Sequence, residues 1–531
     1  MAVAPHALAA ESAVDVLREG GNALEAMVAA AATIAVVYPH MNSIGGDGFW
    51  VMRGPNGQAG GIDASGAAGL KATHAWYADQ GIAGKIPFRG GIAALTVAGT
   101  ISGWGRAHAL SRQALGGRLS LSRLLSDAVF YAEHGIPVTA SQAASTQAKL
   151  PELSAIPGFA ETFLVGGKVP AVGSRFTQPR LARTLARIGK EGTDTFYRGG
   201  LSKLLTKELQ HVGSPLTAID LNRHQAQLVD PLTTSVKTAS ASSGGSAQLF
   251  NMVPPSQGVI SLMILGILDR LEGWDLDPEG PDFIHAQVEA TKLAFRVRDQ
   301  HLTDRAFMKR TPASLLEPAF LDRLAAEVDM MRAAPWGSVS KPGDTIWMGV
   351  VDSNGIAVSF IQSIYHEFGS GIVLPESGVN WQNRGCSFSL DPAHINTLAP
   401  AKKPFHTLNA GLAQCASGTS MVYGTMGGDG QPQTQATIFT RAMRFADHPQ
   451  LAIERPRWLL GRTWGTPSDT LKLESRFSST VVAELKTRGH DVESLGAWDE
   501  SVGHAGMIIR HENGVLEGGY DPRSNGAAIG F

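Results

Sequence analysis

The segment Lys341-Pro342-Gly343-Asp344-Thr345 is where a side chain able to act as a nucleophile meets a sharp change of texture in this 531-residue chain. A polar, turn-forming Pro-Gly-Asp runs into Thr345 and then into the apolar stretch Ile346 to Val351. A threonine hydroxyl attacks an acyl carbon only once a base takes its proton. Read locally, Thr345 has two meanings. It is a β-branched residue that opens a strand because it suits one, or it is an oxygen nucleophile displayed there.

The elements that would position it can be read on both sides. Asp352-Ser353-Asn354-Gly355 is a strong hairpin signal. Residues 356 to 364 form the return strand. With the turn on Ser353-Asn354 or Asn354-Gly355, residues 362 to 365 come opposite Thr345. Gln362, Ser363 and Tyr365 then become neighbours of the hydroxyl. Near the start, residues 8 to 19 have helical spacing and stop at Gly20-Gly21. Asn22 is a plausible N-cap for an alanine-rich, buried helix over 22 to 37. Ile44-Gly45-Gly46-Asp47-Gly48 then predicts a tight turn into a strand, Phe49 to Met52. The middle, about 120 to 335, reads as mostly helical, and Ala239 to Ser246 reads as a flexible loop. A helix-rich first part and a strand-rich last part predict an α+β fold of packed layers.

Composition narrows the chemistry. Lys and Arg total 45 against 47 Asp and Glu, a net charge of −2, so there is no basic face for nucleic acid. Hydrophobic residues reach 43%, too many for a disordered chain. Two cysteines, Cys386 and Cys415, build neither a metal cluster nor a disulfide framework and fit a reducing compartment. The longest apolar stretch, Ala26 to Tyr38, falls short of the roughly 20 residues that cross a bilayer. Glu11 and Asp15 precede any apolar run, unlike a signal peptide, so the expected location is cytoplasmic. P-loop and Gly-x-Ser-x-Gly signatures are absent. His366-Glu367 is followed by Ser370 where a zinc-binding HExxH needs His. No cofactor and no metal are expected.

The chain resembles the γ-glutamyltransferase family of N-terminal nucleophile hydrolases nearly end to end. The opening likeness runs through Ala7-Leu8-Ala9, Leu17 to Ala26, Pro39-His40 and Ile44 to Phe49. Met252-Val-Pro-Pro-Ser-Gln-Gly258 and Glu289-Ala-Thr-Lys-Leu-Ala-Phe295 resemble its middle signatures. Gly355 to Val358, Phe368 to Ile372, Glu376-Ser-Gly378 and the pair Gly427-Gly428 follow in family order. The resemblance implies a four-layer αββα sandwich and a zymogen that cuts itself between Asp344 and Thr345. It thus implies a helix-rich large chain, 1–344, and a small chain, 345–531, in one globular unit open to a dimer of heterodimers.

The cut would give Thr345 a free α-amine. Such an amine has a pKa of about 7.7–8.0 and can serve as the base for its own hydroxyl. Thr345 would attack a substrate amide, form an acyl-enzyme, and release it to water or to an amine. Backbone N–H groups at Gly427 and Gly428 are candidates for the oxyanion hole. The same pair also reads as ordinary turn glycines.

The sequence departs from the glutathione-using members of the family. Ser65 stands where they place an arginine for the glutamyl α-carboxylate, and Ser387 where they place an acid for the α-amine. Tyr365 replaces an asparagine, and His406-Thr407 replaces a serine pair. An ammonium would lack its carboxylate partner, whereas the new Arg384 offers a fork for a carboxylate. Arg384, Tyr365, His406 and Gly427-Gly-Asp-Gly-Gln431 most resemble the oxamate amidohydrolase-like branch. Candidate substrate contacts are Arg384, Tyr365, Ser363, His406 and Thr407. The implied activity is hydrolysis of a small carboxylate-bearing amide, oxamate foremost. A γ-glutamyltransferase or glutathione hydrolase, a glutaryl-cephalosporin acylase-like enzyme, and a non-catalytic binding relative are the alternatives. For Arg384 a structural ion pair is the competing reading.

Overall fold

In the computed structural model the apolar runs on either side of Asp352 form two adjacent antiparallel strands, Asp344–Val351 and Ala357–Tyr365. The structure describes residues 1–239, 245–337, 344–461 and 468–531. The Asp352 carboxylate accepts hydrogen bonds from the backbone N–H groups of Asn354 and Ile356, and the Asp352 N–H donates to the Ile356 carbonyl. Residues 352–356 thus make a longer loop than the expected two-residue turn. The register still falls in the expected window, with Gln362 facing Ile346 and Tyr365 facing Asp344.

These two strands are central in a seven-stranded antiparallel sheet. Its order is Ala527–Ile529, Ala2–Ala4, Asp344–Val351, Ala357–Tyr365, Asp47–Arg53, Ala59–Ala64, Gln227–Val229. A six-stranded antiparallel sheet runs Leu516–Tyr520, Ala505–Arg510, Ser420–Thr425, Gly411–Cys415, Ser246–Asn251, Leu232–Lys237. The middle of the chain is therefore less helical than expected. Gln227–Val229, Leu232–Lys237 and Ser246–Asn251 are strands there, and Leu232–Lys237 has alternating exposure and Thr and Ser residues that suit an edge strand. Of the loop expected over 239 to 246, residues 240–244 lie outside the described residues, as do 341–343 of the Thr345 junction.

Side chains alternate across a strand, and that alternation separates the cores. Phe49, Val51, Trp347, Val351 and Ile361 of the first sheet pack with Leu412, Val422 and Ile508 of the second. Their neighbours Trp50, Met52, Ile346, Met348 and Phe360 turn the other way, onto the helices Ala7–Arg18 and Ala23–Val37. The far face of the second sheet, with Leu249, Met421, Tyr423 and Met507, packs on the helices Gly258–Leu268, Pro281–His301 and Gly430–Met443. Every residue of Ala23–Val37 is buried, as its alanine content allows. Asn22 and Glu25 close a capping box at its start, a feature typically worth about 1 kcal/mol.

Candidate active site

Alternation places Thr345 on the same face as Trp347, between the two sheets. Ser363 shares the face of Ile361, and Asp47 the face of Phe49. Ser363 pairs with Asp47 in the next strand. Thr345, Ser363 and Asp47 thus lie in one row across three adjacent strands. At this point the register shifts between Gln362 and Tyr365, and Tyr365 takes a φ of 85°. A non-glycine residue there is strained, and such bulges re-aim side chains next to active sites. The Ser363 hydroxyl accepts from the Tyr365 N–H at 2.7 Å and helps hold that bend.

The glycines before Asp47 serve close approach as well as the tight turn expected, which the Gly46 N–H closes on the Ser43 carbonyl at 3.3 Å. Gly45 and Gly46 are not left-handed. A Cβ on Gly46 would come within 2.2 Å of the Ser363 carbonyl oxygen, and one on Gly45 within 2.2 Å of the Asn380 carbonyl oxygen. Only glycine lets this segment pass under the return strand and deliver Asp47 to the row.

Thr345 is fully buried. Its Oγ1 accepts a hydrogen bond from Gln431 Nε2 at 3.3 Å. The backbone N–H and the Nδ2 of Asn409 both donate to Gln431 Oε1, at 3.1 and 3.3 Å, which fixes which end of the amide faces the threonine. Gln431 lies in the first turn of Gly430–Met443, so the positive end of that helix is beside the hydroxyl. The turn entering this helix contains Gly427 and Gly428, with φ of 118° and 50°, the left-handed region that favours glycine.

Arg384 opens a short helical turn and is 1% exposed. Its Nη1 donates to Thr407 Oγ1 at 3.2 Å, and its guanidinium lies 3.8 Å from the centre of the Tyr365 ring. Its Nε and Nη2 have no partner among the described residues. Burial pushes its pKa down to about 10, with Tyr365 and Asp47 opposing that shift, so it stays charged at neutral pH. His406 is fully buried beside it, packed edge-on against Phe49. Burial first, then the charges of Arg384 and Lys403, hold its pKa well below the usual histidine value. Its 3.4 Å approach to Asp47 Oδ2 is therefore a contact of a neutral ring, not an ion pair. Burial pushes Asp47 up to about 7, although the N–H groups of Gly99 and Gly66 donate to its Oδ1 and Arg384 lies near.

The Val253-to-Gln257 motif splints the two halves of this cluster. Gln257 Nε2 donates to the Thr407 carbonyl at 2.6 Å and to the Gly428 carbonyl at 3.0 Å. The His406 N–H donates to the Pro255 carbonyl, and the Gln257 N–H to the His406 carbonyl. Arg384, Tyr365, Ser363, His406 and Thr407 are thus drawn into one neighbourhood with Thr345, Gly427 and Gly428. Sequence reading assigned no role to Asp47, Gln257 or Asn409, nor any specific contact to Gln431. An acid enclosed by glycines in a segment bounded by apolar residues was the available signal for Asp47. The two serines that mark the departure are satisfied locally: Ser65 Oγ donates to Asp63, itself paired with Lys403 at 2.8 Å, and Ser387 Oγ donates to the Phe405 carbonyl.

One group among the described residues has metal-ligand types close together: His285, Glu289 and His490, whose ligand atoms lie within 4.8 Å of one another. The two rings share a 2.8 Å contact, His285 Nε2 meets the Asp329 carbonyl, and Glu289 holds Lys292 and the Ala334 N–H. A lysine ammonium already supplies the cation there, and the ligand atoms named are engaged.

Comparison with known proteins shows which family the chain resembles. The gamma-glutamyltranspeptidase family profile covers residues 9–531. The oxamate amidohydrolase proenzyme of Klebsiella pneumoniae is 56% identical over 531 residues, 100% of this chain and 98% of that one. The glutathione hydrolase-like YwrD proenzyme of Bacillus subtilis is 39% identical, again over 100% of this chain and 98% of that one. The crystal structure of cephalosporin acylase from Bacillus halodurans aligns with a TM-score of 0.88 at 30% identity, covering 99% of this chain and 94% of that one. Matches of this extent show that the chain belongs to the gamma-glutamyltranspeptidase family of enzymes, in its oxamate amidohydrolase-like branch.

Proposed function

We propose that this protein is a self-processing amidohydrolase that hydrolyses oxamate through a threonyl acyl-enzyme. The observation that carries the substrate is the buried Arg384 guanidinium, whose Nε and Nη2 have no partner among the described residues and form a fork of the shape a carboxylate fits. The Klebsiella relative named for oxamate supports the same reading.

In the precursor the Thr345 hydroxyl attacks the Asp344 carbonyl, and the resulting ester is hydrolysed to leave chains 1–344 and 345–531. Names given to relatives as proenzymes support this step. In turnover the freed α-amine takes the hydroxyl proton as Oγ1 attacks the oxamate amide carbon. Gln431 orients the hydroxyl, and the N–H groups of Gly427 and Gly428 receive the oxyanion. The proton passes to the leaving nitrogen and ammonia departs. Water then attacks the oxalyl ester to give oxalate and restore Thr345. Arg384 holds the carboxylate, with Thr407 and Tyr365 fixing the guanidinium and Ser363 and His406 lining the same face. The two sheets with helices on their outer faces are read as the four-layer αββα sandwich of N-terminal nucleophile hydrolases. Two free cysteines suit a reducing compartment, and the cytoplasm is the proposed location. No helix of the described residues is long and apolar enough to cross a membrane.

The test compares ammonia release from oxamate with anilide release from a γ-glutamyl-anilide. Ammonia from oxamate with little anilide is expected. Anilide release matching a genuine transpeptidase, with none from oxamate, would replace this reading with the γ-glutamyl one.

A further inference from the structure

Resting on that reading and deepening it, we infer that Asp47 is a specificity-determining residue that must carry a proton for the acyl carboxylate to bind. The Asp47 carboxylate and the substrate carboxylate are rival anions near one guanidinium, and the site takes only one of them in its ionised form.

Geometry sets up this rivalry. Asp47 is fully buried, and its Oδ1 is fixed by the N–H groups of Gly66 at 3.0 Å and Gly99 at 2.9 Å. Its Oδ2 is left facing His406 Nε2 at 3.4 Å, with the Gln382 amide near the carboxylate, and has no hydrogen-bond partner within 3.5 Å among the described residues. The charged and titratable groups around it come from several elements. Lys403 is paired with Asp63 at 2.8 Å on the neighbouring strand, so its charge is answered. His406 is neutral. Tyr197 donates its hydroxyl hydrogen to the Ala98 carbonyl and stays protonated. The Thr345 α-amine freed by processing lies in the same row as Asp47 and titrates nearby; Arg384 is the permanent cation acting on Asp47, and Gln382 adds a neutral amide.

Charge counting then favours one protonation state. If Asp47 is ionised, it offsets the charge of Arg384, and a substrate carboxylate enters a dry site as a second anion, which burial strongly disfavours. If Asp47 is protonated, the substrate anion and Arg384 form a neutral pair. Asp47 Oδ2–H then donates to His406 Nε2. This fixes the ring tautomer and leaves Nδ1–H, which has no partner among the described residues, as a donor. The same protonation state offers no anion to the ammonium of a glutamyl head group, so it selects against that substrate.

The experiment uses the processed wild-type enzyme and follows ammonia release from oxamate between pH 5.5 and 9. KM is expected to be flat below about pH 7 and to rise about tenfold per pH unit above it. Asp47→Asn, uncharged at every pH, is expected to keep a low KM up to pH 9. A flat wild-type KM, or a variant with the wild-type slope, overturns the inference. A second measurement is calorimetric binding of oxalate at pH 8 to wild type and to Asp47→Asn, each in two buffers of different ionisation enthalpy, because the Thr345 α-amine can also take up a proton. Wild type is expected to take up about one proton per site more than the variant, and equal uptake would overturn the inference. Ammonia release with a pH-independent KM removes this inference alone. Absence of ammonia at every pH removes the oxamate reading, and this inference with it.

Discussion

Gln431 Nε2 donates to Thr345 Oγ1 at 3.3 Å, and Asn409 holds the other end of the same amide by two hydrogen bonds. A helix terminus from the opposite side of the sheet interface thus supplies a donor that helps orient the hydroxyl. Gln431→Leu removes the donor while keeping the bulk. One hydrogen bond is worth about 1 kcal/mol, so kcat and the rate of self-cleavage should each fall roughly five- to tenfold. Steady-state assays and timed gels of freshly translated precursor measure both. Equal rates in the variant would mean that Gln431 does not position the nucleophile.

Arg384→Ala should raise KM for oxamate by about 10- to 100-fold, the range for losing hydrogen bonds to a charged group. kcat should change less. Arg384→Lys should rescue poorly, because an ammonium cannot reproduce the fork or the contact over Tyr365. An unchanged KM in Arg384→Ala would make the arginine structural.

Gly46→Ala is expected to destabilise the fold by roughly 1–3 kcal/mol or more, since the added carbon would meet the Ser363 carbonyl oxygen at 2.2 Å and backbone must move. The urea midpoint reports this directly. A midpoint equal to wild type would show that the segment carrying Asp47 has room to shift.

Much of this site was legible before any coordinates. The hairpin register could be counted from Thr345 because a strand has a period of two and Asp352 to Gly355 marks the turn. Arg384 and His406 stood out because their types contradict a glutamyl head group. Asp47 was passed over because its glycines read as a turn. Their other purpose, clearance beneath the Ser363 carbonyl, depends on a strand more than 300 residues away. Asn409 and Gln257 escaped for a similar reason: neutral amides carry no sequence signal until a fold shows what they bridge. The strands between 227 and 251 were missed because short, half-exposed strands rich in Thr and Ser lack a strong apolar rhythm.

Acid should weaken the fold through its buried histidines. His6, His40 and His504 surround Tyr38, and burial lowers them to about 4, 3 and 4. The unfolded chain takes up these protons near pH 6.5, the folded chain only well below. Stability from these groups is thus complete above about 6.5 and is lost toward pH 4, at about 1.4 kcal/mol per pH unit for each. His224 and His490, both lowered to about 3, act in the same direction. Asp47, Asp352 and Glu500, raised by burial, oppose them. The histidines should prevail, so the urea midpoint should fall between pH 7 and 5, with a shallower fall in His40→Gln. A midpoint that does not fall would mean that these rings are charged in the folded protein.

The most direct test is the intact mass of purified, active enzyme beside that of Thr345→Ala. Wild type should give two polypeptides, residues 1–344 and 345–531, the second beginning with threonine, and the variant one uncut, inactive chain of 531 residues. Turnover by a single unbroken wild-type chain, or cleavage at the same bond in Thr345→Ala, would contradict Thr345 as the nucleophile.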